Sequence, residues 1–355
     1  MELKLSQPHF LERTPEQFEA WLTARGLPAY RASQVWRWLL EKRAAGFDEM
    51  TDLPAELRSG LSAEFTLWTT RVALERQSAD GTRKLLLDLA DGQRIECVLL
   101  RDERDHRTAC ISTQVGCAMG CVFCASGLEG VARNLTSGEI LEQLLQLQRL
   151  LPADQRVSHI VVMGMGEPLA NLPGLLPALE MASSAKGLGI SARRITISTV
   201  GLPAAIRRLA RLGCPYHLAV SLHAADDELR SRLVPASRKV GIDAILEAAD
   251  EYFSLTGRRI MYEYVLLAEV NDRPEHARRL VERLRGRAAL VNVIPYNPVR
   301  GLPYRTPRPR DTARFVGILE DGGIAVKIRY RKGERIDAAC GQLRRGLAAP
   351  GGGPE

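Results

Sequence analysis

Three cysteines fall within eight residues, in Gly116-Cys117-Ala118-Met119-Gly120-Cys121-Val122-Phe123-Cys124. The spacing is Cys-x3-Cys-x2-Cys. Three thiolates on one short loop suit three corners of a cubane iron–sulfur cluster. The fourth iron then has no cysteine from the motif and stays open to an outside ligand, as an open zinc site does for water. Gly116 and Gly120 allow the loop to curl with its N–H groups toward the sulfurs. A structural zinc would want a fourth Cys or His nearby, and none is paired here. The remaining cysteines are Cys97, Cys110, Cys214 and Cys340, seven in all, and an odd count argues against a disulfide framework.

The loop follows a candidate strand, 108–113, the first of a series. Further strands are expected at 159–163, 194–198, 217–222, 261–267, 290–294 and 325–330. Amphipathic helices lie between them at 139–150, 204–212, 242–252 and 276–284. Thr136-Ser137-Gly138-Glu139 reads as a capping box for the first helix. Alternating strands and helices imply a parallel sheet. About six units are too few for a closed eight-unit barrel, so an α/β fold with a partial (βα)6 TIM-like barrel or an open sheet is expected. Either architecture places chemistry at the C-terminal strand ends. Those ends are 114–126, 164–168, 198–201, 221–223 and 295–298.

Two other units precede this core. Residues 1–75 read as a small helical domain. Thr14-Pro15-Glu16 starts a helix, 32–40 holds Trp36 and Trp38 at core-packing spacing, and Leu53-Pro54 opens a third helix. Residues 76–104 read as a β-hairpin linker turning at Ala90-Asp91-Gly92. The core then spans 105–335. A C-terminal segment, 336–355, carries Cys340 and ends in a Gly- and Pro-rich tail from Ala348 expected to be disordered.

The 355 residues are 45% hydrophobic and 26% charged, which excludes a disordered or collagen-like chain. No apolar run approaches the ~20 residues of a membrane span. The first twenty residues carry acids where a signal peptide would be apolar. A cytoplasmic protein without membrane contact is expected. The net charge is +7, and only seven of the 49 basic residues are lysine. Arginine forks suit phosphates, so a polyanionic partner fits, although solvated surfaces would account for the charge equally well.

Cys117-x3-Cys121-x-Phe123-Cys124 resembles the signature of the radical S-adenosylmethionine (SAM) superfamily. Several further stretches resemble its RlmN/Cfr family of RNA methyltransferases: 114–117, Gly164-Met165-Gly166-Glu167-Pro168-Leu169, Ser221-Leu222-His223-Ala224, Val270-Asn271-Asp272 and Ile336-Asp337-Ala338-Ala339-Cys340-Gly341-Gln342-Leu343, with 47–52 near the N-terminus. The last long block is far more specific than the cysteine loop. The resemblance covers about residues 15–347.

This resemblance implies a radical SAM type barrel and a [4Fe-4S] cluster on Cys117, Cys121 and Cys124. Two SAM molecules would be used per turnover. Gly166 and Glu167 would meet the SAM amino group, and Ser198, Ser221, Leu222, His223 and Asn297 would line its site. Cys340 would be methylated by the first SAM. A radical derived from the second would take hydrogen from that methyl, and the carbon would add to C2 of adenine. Cys110 would resolve the covalent adduct by forming a disulfide with Cys340. Glu96, a lone carboxylate in the apolar run 95–100, would be the general base. Cys97 and Cys214 match no such role.

The implied substrates are an adenosine of 23S rRNA and the adenosine beside the anticodon of certain tRNAs, contacted through the N-terminal domain. A buried adenine edge would first have to be unstacked. The implied partners also include an electron donor such as flavodoxin, and a monomer is expected. The Glu167-Pro168 pair favours C2 methylation, since the C8-methylating branch usually has Glu-Ala there. The alternatives are that C8 methyltransferase and a non-catalytic iron–sulfur RNA-binding protein.

Overall fold

The computed structural model describes residues 7–329, 333 and 336–344. Three helices open the chain: α1 (Pro15–Thr23), α2 (Arg31–Leu40) and α3 (Ala55–Glu64). The expected start at Thr14 is a full capping box. Thr14 Oγ1 accepts from Gln17 N–H at 3.2 Å, and Gln17 Oε1 accepts from Thr14 N–H at 3.0 Å. Phe10 centres their core, its ring 4.9–5.6 Å from those of Phe18, Trp36, Phe47 and Phe65. Trp36 is buried, as core packing predicts, whereas Trp38 is half-buried and donates its indole N–H to Asp52 at 2.5 Å.

Among the described residues twelve strands follow. Four are β1 (Thr70–Gln77), β2 (Arg83–Leu89), β3 (Arg94–Arg101) and β4 (Arg107–Cys110), and β5 (Gln114–Gly116) and β6 (Val131–Asn134) form a small separate ribbon. The rest are β7 (His159–Val162), β8 (Ile195–Thr199), β9 (His217–Ser221), β10 (Ile260–Leu266), β11 (Ala289–Pro295) and β12 (Ala325–Ile328). Ten strands make one sheet in the order β1-β2-β3-β4-β7-β8-β9-β10-β11-β12. Pairing is antiparallel from β1 to β4 and parallel from β4 to β12.

The crossovers carry α4 (Ser137–Arg149), α5 (Leu172–Ser183), α6 (Pro203–Arg211), α7 (Asp227–Leu233), α8 (Ile242–Thr256), α9 (Pro274–Leu284) and α10 (Pro309–Asp321). Six crossovers between seven parallel strands form the expected (βα)6 arrangement, and β1 and β12 stay at opposite edges, so the barrel is partial.

Three features differ from the sequence reading. Residues 76–104, expected as a linker, continue the main sheet as an antiparallel extension, and Leu85, Leu87, Ile95 and Cys97 join the same core as the parallel strands. α5 forms despite Pro177 in its interior, which masks it in the sequence. The short ribbon β5–β6 brackets the cysteine loop. Tyr330, the end of the last expected strand, and the tail from Ala348 lie outside the described residues. Among the described residues no helix is long and apolar enough to cross a membrane.

Candidate active site

The predicted loops meet in one cavity at the C-terminal ends of the parallel strands. Its wall includes Cys117, Cys121 and Cys124, then Gly166, Glu167, Ser198, Ser221, His223 and Asn297, and finally Cys340.

The cysteine loop leaves β5 through Gly116, whose φ is +79°. It is pinned by its own backbone and by a neighbouring helix. Cys117 N–H donates to Gly130 O at 2.9 Å, and Val122 N–H donates to Leu233 O at 3.0 Å. Burial pushes the Cys117 thiol up to about 11, raises Cys121 well above the ordinary thiol value, and raises Cys124 against the pull of Ser126. Such thiols stay protonated until a metal takes the proton's place. Among the described residues no three Cys, His, Asp or Glu side chains converge as one metal ion requires. A cubane asks for something else, one thiolate on each of three irons, and this donor set fits it.

Next to the cysteines lies the loop after β7. Gly166 has φ +101°, and a Cβ there would come 2.6 Å from Gln114 Cβ and 2.8 Å from its backbone N. Only glycine lets the two loops approach this closely. Gln114 Oε1 then receives the Glu167 N–H at 2.8 Å. The Glu167 carboxylate is buried and accepts the N–H groups of Leu169 (3.0 Å) and Val200 (2.8 Å). Burial raises its pKa, while Val200, Thr199 and Leu169 oppose the shift. A carboxylate has about four lone-pair sites, so beyond these three donors it can still accept from an ammonium group.

His223 sits at the end of β9 with φ +60°, a left-handed conformation rare outside glycine. Three neighbours hold it. Val265 N–H donates to its Nδ1 at 3.1 Å, Asn271 Nδ2 donates to its carbonyl at 2.8 Å, and the Phe123 ring stands edge-on at 4.9 Å. An Nδ1 that accepts leaves the hydrogen of the neutral ring on Nε2. Burial and the Arg230 charge push its pKa down to about 3, so the ring is neutral. Asn271 also accepts from Leu267 N–H at 2.7 Å and donates to Val265 O at 2.7 Å. The Val270-Asn271-Asp272 motif therefore braces the His223 loop.

The segment 336–344 closes the site from below. Ala125 N–H donates to Gly341 O at 2.7 Å, Ser126 Oγ donates to Leu343 O at 2.6 Å, and Asn297 Nδ2 donates to Cys340 O at 3.2 Å. Gln342 Nε2 reaches Pro298 O at 2.9 Å. These bonds present Cys340 to the cavity, where it has accessible surface although protein surrounds it. Enclosure pushes its thiol pKa up, and the Arg329 guanidinium acts against this. Cys110 ends β4 beside it. Burial pushes the Cys110 thiol up to about 12, with Cys340 the next contributor.

Three expected site residues stand outside the wall, Cys110 among them. Leu222, the residue after β9, packs fully into the core, while its neighbours Ser221 and His223 line the cavity. Glu96 is buried against Lys84, 2.8 Å away, and accepts the Arg344 N–H at 2.9 Å.

The structure also adds residues the sequence reading missed. Glu263 lines the cavity from β10, receiving Asn292 Nδ2 at 2.8 Å, while its other oxygen has no partner. It is a lone acid in the apolar run 260–266, the same signal that singled out Glu96. Asn297 Oδ1 is likewise buried and unpartnered. Such orphaned acceptors in a cavity wall fit a polar ligand such as SAM.

Residues 111–281 match the radical SAM superfamily, and residues 9–67 match the ribosomal RNA large subunit methyltransferase N-terminal domain. A probable dual-specificity RNA methyltransferase RlmN of Rhodopirellula baltica is 61% identical over 95% of this chain and 91% of its own length. That of Bacillus subtilis is 44% identical over 97% and 94%. A crystal structure of a radical SAM methyltransferase from Sphaerobacter thermophilus superposes with a TM-score of 0.92 at 42% identity, covering 96% of this chain and all of that one. By these family matches and identities the chain belongs to the RlmN family of the radical SAM superfamily.

Proposed function

We propose that the protein methylates C2 of adenosine in 23S rRNA and tRNA, with Cys340 as the methyl carrier. The observation that carries this reading is the wall shared by Cys340 and the three cluster cysteines. A non-catalytic RNA-binding protein would have no use for that arrangement. When bound, the [4Fe-4S] cluster and SAM supply the methyl group and the radical that activates it.

The chain's own residues do the rest. Cys117, Cys121 and Cys124 hold the cluster. Glu167 receives the SAM ammonium, and Gly166 lets the backbone approach it. Ser198, Ser221, His223 and Asn297 orient the remainder of SAM, and Leu222 supports them from the core. The Cys340 thiolate takes a methyl by displacement; after that methyl gives up a hydrogen atom its carbon bonds to adenine C2, and the adduct's odd electron would return to the cluster. Glu96 takes the C2 proton, and burial has raised its carboxyl pKa toward that of a useful base. The Cys110 thiolate then attacks Cys340 sulfur, a disulfide forms, and the methylated base leaves with a proton.

Residues 1–75 contact RNA, 76–104 carry Glu96, 105–335 hold the cofactors and 336–355 deliver Cys340. A flavodoxin-like donor supplies electrons to a cytoplasmic monomer. Nucleoside analysis of 23S rRNA and tRNA treated with reconstituted enzyme, SAM and reductant tests this. Expected are 2-methyladenosine, release of 5′-deoxyadenosine, and no methylation by Cys340→Ala. Formation of 8-methyladenosine, or methylation by Cys340→Ala at the wild-type rate, overturns it.

A further inference from the structure

Arg230, in the middle of α7, is among the most deeply buried large side chains of the protein, at 1% exposure. Its Nη2 donates to the backbone carbonyls of Val200 and Ser221, the latter at 3.3 Å. Its Nε and Nη1 have no acceptor. Among the described residues no carboxylate lies within ion-pair distance of it. Asp227, three residues earlier, acts only through space, and its Oδ1 accepts the Ile242 N–H at 2.7 Å. A buried cation with unused donors and no counter-charge is costly, and proteins normally pair it.

The surroundings name the missing anion. Val122 N–H, one residue after Cys121, donates to Leu233 O at the C-terminal end of the same helix α7 at 3.0 Å. α7 packs directly on the cysteine loop, with Leu229 and Leu233 in one apolar cluster with Phe123 and Ala125. Arg230 is not part of the cavity wall, although Cys121, Val200 and Ser221 are. It therefore lies outside the cavity, against the backbone of Val200 and Ser221.

We infer that Arg230 is the counter-cation of the iron–sulfur cluster, a positioning residue whose two unused donors and charge favour the cluster's reduced state. The inference rests on the assignment of Cys121 as a cluster ligand made above. An added electron makes a cluster more negative. A fixed guanidinium in a low-dielectric interior stabilises that state more than the oxidised one. Net charge, hydrogen bonds to sulfur and burial are the protein's means of setting such a potential. The chain in this way stores a cation whose partner arrives only when the cluster is built.

The test is an anaerobic redox titration of reconstituted wild type, Arg230→Gln and Arg230→Lys, followed by EPR without SAM. Iron and sulfide are counted in each sample. Arg230→Gln should hold its cluster yet show a reduction equilibrium constant at least tenfold smaller, about 59 mV more negative for one electron. Arg230→Lys should stay within threefold of wild type.

An unchanged potential in Arg230→Gln overturns the inference, as does an equal shift in Arg230→Lys. A shift seen only after SAM is added also overturns it, since Arg230 would then serve the SAM carboxylate. If Arg230→Gln does not retain a cluster, the wild type with 15N-labelled arginine decides. A guanidinium nitrogen should couple to the reduced cluster in pulsed EPR, and its absence overturns the inference. A wild type that binds no four-iron cluster, or a Cys121→Ala variant that binds one equally well, removes the ligand assignment itself.

Discussion

The carboxylate of Glu96 on β3 accepts the backbone N–H of Arg344 at 2.9 Å while pairing with Lys84 of β2 at 2.8 Å. Lys84 also donates to the carbonyl of Asp337 at 2.9 Å. Both side chains are less than a tenth exposed. One ion pair on the antiparallel extension thus grips the Cys340 segment on both sides of the cysteine.

Glu96→Gln should therefore loosen that segment as well as remove a carboxylate. It leaves the Lys84 ammonium buried without its counter-charge, and breaking one side of such a pair costs about 3–5 kcal/mol. The melting temperature of the apo-protein should fall, and limited proteolysis near residue 340 should speed up. The double variant Lys84→Met/Glu96→Gln should lie closer to wild type than the two single losses added together. A Glu96→Gln protein that melts with wild type would contradict the clamp.

Gly166→Ala brings a methyl within 2.6 Å of Gln114 Cβ at a φ of +101°. A strained backbone of this kind costs roughly 1–3 kcal/mol before any overlap is relieved. The loop must shift, and Glu167 moves with it. SAM binding to the reconstituted protein, measured anaerobically by equilibrium dialysis, should weaken at least about tenfold, or ~1.4 kcal/mol. Unchanged affinity would show that the close approach of the two loops does not position the site.

Asn271→Ala removes three buried hydrogen bonds, to Leu267, His223 and Val265. At ~1 kcal/mol each, the loss is about 3 kcal/mol. The left-handed backbone at His223 loses its brace, so KM for SAM should rise together with the fall in thermal stability. A stability loss with an unchanged KM would limit Asn271 to a scaffold role.

His223 predicts an acid limb of stability. Its folded pKa, about 3, lies below its ordinary value of 6.5. The unfolded chain takes up a proton below pH 6.5, whereas the folded ring resists. Its contribution is complete above pH 6.5 and is lost as pH falls toward 3, at up to about 1.4 kcal/mol per pH unit. His223→Asn keeps a residue that tolerates the left-handed conformation but cannot titrate. Denaturant melts of the apo-protein between pH 6.5 and 4 should show a slope shallower by as much as one proton in the variant. Equal slopes would mean that the ring is protonated in the fold.

The three-cysteine loop was readable because its pattern is local. Three thiols within eight residues must share one loop whatever surrounds it. The six βα units were readable too, since hydrophobic period and strand length repeat along the chain, and the capping boxes at Thr14 and Thr136 need only four residues each. α5 was hidden because Pro177 and the glycine before it contradict the local pattern, and tertiary packing overrides that cost. The role of 76–104 was hidden because a hairpin looks the same whether it links two domains or extends a sheet.

The sequence by itself determined the three-cysteine motif, the number of crossovers and the family, all of which depend on residue type and spacing along the chain. Only the tertiary structure decided which distant residues meet. It brought Cys340 to the wall that holds Cys121, 219 positions earlier. It turned Glu96 toward Lys84 and Arg344, and left Arg230 buried beside the cysteine loop with donors to spare. The physical reason is that burial and pairing are properties of three-dimensional neighbours, and a residue's place in the chain records neither its solvent nor its counter-charge.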